Sequence, residues 1–158
     1  YTEKDLVALP GLAGTWVDDK EENRWTFTAA RAKSFELIYT EKGTDSPFEV
    51  RALRLGGALF LDLYPKSPDH LNEVYRMHFL PAHSAFLARL EGDTLTLRFP
   101  DMTCLGRQLD EKKLKIANDR WDDRIVLTAP TAELQKFLFR IAGTDEAFGD
   151  PIVLQRVK

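Results

Sequence analysis

The apolar residues of this chain fall into short runs of period two, the spacing that places alternate side chains on one face of a β-strand. The clearest case covers residues 48–79. Gly56-Gly57 separates two such runs, and a two-residue hairpin turn there sets Val50 opposite Leu63, Ala52 opposite Leu61 and Arg54 opposite Leu59. One face of that hairpin is nearly all apolar. A third alternating run, residues 74–79, follows a connection over residues 65–73. Pairing Tyr64 with Val74 brings Tyr75, Met77 and Phe79 opposite Leu63, Leu61 and Leu59 on the same face.

The same reading extends in both directions. A segment broken by Pro10 and Gly11 leads through Leu12 and Gly14 into a first strand at Trp16. Residues 25–28 and 35–39 alternate across a loop over residues 30–33. Pairing Ala29 with Ser34 sets Trp25 opposite Ile38 and Phe27 opposite Glu36, and Thr40 opposite Phe48 carries the register onward. Residues 84–91 and 94–99 form a second hairpin across Gly92-Asp93, with Leu90 facing Leu95, Ala88 facing Leu97 and Phe86 facing Phe99. After Pro100 the period lengthens, and Met102, Leu105 and Leu109 predict a short helix that carries Cys104. A strand returns at residues 124–128. Residues 131–142 predict the principal helix, with Leu134, Phe137, Leu138 and Ile141 on one stripe, Pro130 near its start and Gly143 just past its end. Residues 152–157 supply a last strand. The expected fold is all-β: one domain over residues 1–158, an antiparallel up-and-down β-barrel of about 8–10 strands with one clear late helix and one short one.

Composition narrows the function more than the fold. With 44% hydrophobic and 30% charged residues the chain is an ordinary globular one. A net charge of -3 gives no electrostatic basis for binding nucleic acid or an anionic membrane surface. One cysteine excludes an internal disulfide. No apolar run approaches the roughly 18 residues of a membrane-spanning helix. The sequence opens at Tyr1 rather than methionine, which leaves room for a preceding signal peptide or lipid anchor.

Gly14-Thr15-Trp16 at the start of an up-and-down barrel resembles the lipocalins and the wider calycin group, in which the tryptophan closes the barrel floor. The run Ala129-Pro130-Thr131-Ala132-Glu133-Leu134 resembles the approach to the lipocalin helix, without the arginine expected there; Arg156 on the last strand can stack on Trp16 in its place. The Thr-Asp-Tyr motif of kernel lipocalins is missing. The opening Tyr1-Thr2-Glu3-Lys4-Asp5-Leu6, with Leu59-Phe60-Leu61-Asp62-Leu63-Tyr64-Pro65 and the run from Leu127 to Leu134, is also similar to small bacterial lipoproteins of unknown function. That resemblance implies a cell-envelope protein, lipid-anchored or periplasmic, whose only contact with a membrane is an N-terminal anchor. It implies no activity.

The second face of the meander is mixed. It is expected to carry Tyr39, Glu49 and Tyr64 in one row and Arg51, Asp62 and Arg76 in the next, an acid between two arginines. Exposed, such a ladder is surface decoration; turned inward, Arg51 and Arg76 would bind a ligand carboxylate or phosphate among aromatic rings. Glu36 and Arg54 are expected on the apolar face, where they must pair or lie near a barrel mouth. His70, His78 and His83 lack metal-ligand spacing, and Ser84 beside His83 is only an adjacent pair. No catalytic residues, metal or cofactor are therefore expected. The expected partner is a small hydrophobic or amphipathic ligand inside the barrel; the competing expectation is a barrel filled by its own ten phenylalanines, four tyrosines and three tryptophans, acting as a structural or interaction module.

Overall fold

In the computed structural model, which describes residues 1–31, 33–67, 72–122 and 124–158, eight antiparallel strands close into a barrel. Strands β1 (Gly14–Val17), β2 (Asn23–Ala29), β3 (Ser34–Glu41), β4 (Thr44–Leu55) and β5 (Ala58–Pro65) run up and down in sequence order. A short helix, α1 (Glu73–Met77), precedes β6 (Ser84–Glu91) and β7 (Thr94–Arg98). The chain then leaves the barrel for α2 (Met102–Asp110), the separate hairpin β8 (Asn118–Trp121) and β9 (Arg124–Leu127), and α3 (Thr131–Ile141). It returns as β10 (Ile152–Arg156), which fills the place between β7 and β1 and completes the closure.

Two turns set the two hairpins that the sequence predicts. Gly56 and Gly57 have φ of 58° and 93°, a left-handed pair that glycine adopts without strain, and β4–β5 pairs Val50 with Leu63 and Ala52 with Leu61. Across Gly92, β6–β7 pairs Leu90 with Leu95 and Ala88 with Leu97. The inward side chains fill the lumen: Trp16, Leu37, Val50, Leu61, Leu95, Leu97 and Leu154 have no exposed surface.

A second dry layer lies outside the barrel. Leu53, Leu55 and Phe60 point outward from β4 and β5 and are covered by Phe137 and Ile141 of α3 and Leu105 of α2. Burial on both faces explains why Leu59-Phe60-Leu61 is a continuous apolar run rather than an alternating one. Asp101 caps α2 by accepting from the amides of Thr103 and Cys104 at 2.8 and 3.1 Å, and Cys104 is buried. Beyond Arg51 the edge of β4 extends past β3 and is taken by the N-terminal segment, with Val7 N donating to Ala52 O and Arg54 N to Asp5 O.

The structure corrects three expected pairings. The run at residues 74–77 belongs to α1, and β5 pairs instead with β6, Leu59 facing Ala88, Leu61 facing Phe86 and Leu63 facing Ser84. The expected pairing would have set His78 opposite Phe60 in the dry outer layer; Leu87 occupies that place. In β2–β3 the register is one residue further on, with Trp25 facing Tyr39 and Phe27 facing Leu37. Glu36 and Ile38 therefore point outward. In β3–β4, Lys42 and Gly43 both have positive φ and form a tight turn, so Thr40 faces Asp45 rather than Phe48 and β4 begins at Thr44. Strand β8 has no apolar alternation in Asn118-Asp119-Arg120-Trp121 and was not expected.

At the closed end the guanidinium of Arg156 lies 4.1 Å from the centre of the Trp16 ring, the stacking the sequence suggests. Trp16 Nε1 donates to Leu12 O at 2.9 Å, and Arg156 donates to the carbonyls of Ala13 and Gly11. Gly14, with φ of 133°, passes directly under the guanidinium, where a Cβ would overlap Arg156 Nη1. Gly14→Ala is expected to cost about 3 kcal/mol or more, since it adds overlap with a fixed arginine to backbone strain. Gly57→Ala, in open space, carries only the left-handed cost of roughly 1–2 kcal/mol. Urea unfolding of both variants checks this; equal losses would mean that Arg156 yields.

Candidate functional site

Asp62 lies in the middle of β5 and points outward, next to the dry layer at Phe60. Among the described residues it is the one charged side chain that is buried, with 7% of its surface exposed. Its cross-strand neighbours are Arg51 on β4 and Ala85 on β6. His83 precedes Ala85 by two residues, so both point to the outer face, and the small alanine leaves the imidazole room beside the carboxylate. His83 Nδ1 lies 2.8 and 3.0 Å from the two Asp62 oxygens. An ionised carboxylate only accepts, so Nδ1 carries the proton and Nε2 is turned away from Asp62.

Aromatic rings flank this pair. Tyr64 packs against His83 at 4.6 Å between ring centres, and Tyr1 meets the same imidazole edge-on at 6.5 Å. Arg51 lies 5.8 Å from the centre of the Tyr1 ring, and its Nε and Nη2 both donate to Glu49 Oε1, at 3.0 and 2.7 Å. Together Tyr1, Glu49, Arg51, Asp62, Tyr64 and His83 line an open cleft of about 250 Å³ on the barrel wall. Burial pushes the Asp62 carboxyl up from its ordinary range, against the opposing charge and hydrogen bond of His83. Burial also raises the Tyr1 phenol, with Arg51 opposing.

Of the residues singled out from the sequence, Arg51, Asp62 and Tyr64 meet here, but on the outer wall rather than in the lumen. Arg76 is on α1 and not on a strand beside Asp62. Tyr39 points inward, 4.8 Å from Trp25 between ring centres, with its hydroxyl donating to Asn23 Oδ1. Glu36 is outside and accepts from Lys66 Nζ at 2.7 Å, so it does not pair with Arg54. Arg54 stands at the closed end of the barrel, where it donates to Gly57 O and lines a second cleft, of about 580 Å³, with Leu9, Leu59 and Leu90. Pairing β5 with residues 74–79, as the sequence suggests, gives His83 no place beside Asp62. With residues 84–91 as the partner, His83 falls beside Asp62.

The chemistry of the cleft is largely self-contained. Glu49 already occupies the arginine fork that a ligand carboxylate or phosphate would require, and Asp62 adds a second negative charge close by. Ser84 pairs with Leu63 in the inward register, away from the imidazole, and the hydrogen bonds shown for His83 run to Asp62. No group of three or more metal-ligating side chains occurs among the described residues; His70 lies outside them. Comparison of the chain with protein-family models, curated proteins and solved structures returns no match.

The raised carboxyl of Asp62 means that the folded protein holds this proton more tightly than the unfolded chain does. Its contribution to stability is thus full below the unfolded carboxyl range and is lost as pH rises through the folded value. His83 offsets that loss. His83→Ala is therefore expected to raise the Asp62 pKa further and to lower stability at neutral pH by about 1–3 kcal/mol, a deficit that shrinks in acid. Carboxyl-carbon NMR titration and urea unfolding at both pH values measure the two effects; an unmoved Asp62 titration would show that the pair is not coupled.

Proposed function

We propose that the protein is a non-catalytic, calycin-type barrel of the bacterial cell envelope, filled by its own side chains and acting as an interaction module through its exterior. The observation that carries this reading is the state of the lumen. Trp16, Leu37, Val50, Ala52, Leu61, Leu95, Leu97 and Leu154 have 0% of their surface exposed, so no water-sized space adjoins them. A small-molecule cavity needs roughly 300 Å³ or more. The Arg156–Trp16 stack above Gly14 favours kinship with the calycin group. The envelope location rests on the lipoprotein resemblance of residues 1–6, 59–65 and 127–134. No described helix is long and apolar enough to cross a membrane, so in this reading attachment would run through an N-terminal anchor.

A second reading, a small apolar or amphipathic ligand, has one observation in its favour. At the open end the inward rings of Tyr39, Phe48 and Phe86 are only half-buried around Trp25, a shallow aromatic mouth above the packed lumen. Native mass spectrometry after incubation with a lipid and fatty-acid panel separates the two. The filled barrel is expected to retain its apo mass, with unchanged Trp16 and Trp25 fluorescence. A stoichiometric adduct that quenches Trp25 would replace the first reading by the second.

A further inference from the structure

We infer that one rim of the barrel mouth docks onto a lipid surface through the apolar side chains of the β5–β6 connection. Leu80, Met77 and Val74 are the three most exposed large hydrophobic residues described, at 84, 77 and 68%. All three fall on α1 and the residues just after it, at a spacing of three. The strands place this connection at the open end, where Phe99 and Ile152, the residues that flank the outer ends of β7 and β10, are also partly exposed. Val74 and Met77 on this five-residue helix and Leu80 just after it contribute nothing to the core, and a concentration of exposed apolar side chains at one end marks an interaction surface.

The occupant follows from charge and shape. Around the barrel the strand order is β1-β10-β7-β6-β5-β4-β3-β2, so the β1–β2 loop stands diametrically across the mouth from the β5–β6 connection. That loop carries Asp18, Asp19, Glu21 and Glu22 against Lys20 alone, whereas the described residues of the β5–β6 connection carry Arg76 against Glu73, with Lys66 paired to Glu36 of β3. The net negative charge is thus held on the far rim, and the apolar rim enters a headgroup layer without carrying excess charge with it. Val74, Met77 and Leu80 can enter a bilayer interface without a matching groove, which a protein partner would have to supply. The first residue of the chain is at this rim as well, since Tyr1 packs on His83, the last residue before β6. A tether through the N-terminus, as in the reading above, would emerge beside the docking side chains; the inference itself does not require one.

The test uses this chain, without any anchor, and phosphatidylcholine vesicles in a flotation assay, with Met77→Glu/Leu80→Glu compared with the exposed-strand control Val153→Glu. Wild type and the control are expected to float with the vesicles and to do so equally at low and high salt, because the attachment is apolar. The double variant is expected to lose at least tenfold in partitioning, with an unchanged thermal transition. Failure of wild type to float at millimolar lipid, or flotation of the double variant like wild type, would overturn the inference. So would a concentration-dependent dimer in sedimentation velocity that the double variant abolishes, since the rim would then be covered by a second copy. None of these outcomes bears on the filled lumen, which the adduct experiment reads separately.

Discussion

The stack of Arg156 on Trp16 holds together the two ends of a chain folded into a closed sheet. Trp16 is on the first strand and Arg156 on the last, and they face each other in the register that closes the barrel. The guanidinium does three jobs at once. It covers an indole face, it donates to the carbonyls of the turn at Pro10–Leu12 and Ala13, and it makes an ion pair with Asp93 at 3.2 Å in the β6–β7 turn. A cation kept partly dry in this way is held by several partners, so the floor is a rigid point from which the strand registers run upward.

From that floor the molecule builds two dry layers that share one wall. The lumen packs the inward faces, and the outer faces of β4 and β5 pack under α2 and α3, so the central strand β5 is buried on both sides for most of its length. Asp62 is the exception within this strand. Its position between the outer layer and solvent requires a partner, and the partner comes from the end of the β5–β6 connection. The same connection carries the exposed apolar side chains of the mouth rim. One excursion from the barrel therefore both hydrogen-bonds the buried acid and carries the most exposed large apolar side chains among the described residues.

The polar cleft and the lumen illustrate a general point about barrels of this size. Eight strands enclose an interior that side chains can just fill, and here aromatic and leucine side chains do so. On the wall, the charged groups of the cleft satisfy one another, Arg51 with Glu49 and Asp62 with His83.

The sequence by itself determined the class of the fold and those pairings that a short turn dictates. Gly56-Gly57 and Gly92-Asp93 set the registers of β4–β5 and β6–β7, because a two-residue turn allows only one alignment of the runs beside it. The helical stripe of α3 was legible from local periodicity, whereas the Arg156–Trp16 contact was expected from the resemblance to the lipocalins, with Arg156 in place of the arginine missing before the helix. What only the tertiary structure decided is the partner of β5 and the face that β3 turns inward. Residues 74–79 and 84–91 both alternate, and the choice between them rests on whether His78 or Leu87 lies opposite Phe60 under the helices, a layer whose existence no local pattern reports. A shift of one residue between β2 and β3 moved Glu36 and Ile38 outward and brought Tyr39 inward, which took Glu36 and Tyr39 out of the expected site. His83 reached Asp62 by the same non-local choice, since a residue outside a strand acquires its neighbours only when the strands around it are paired.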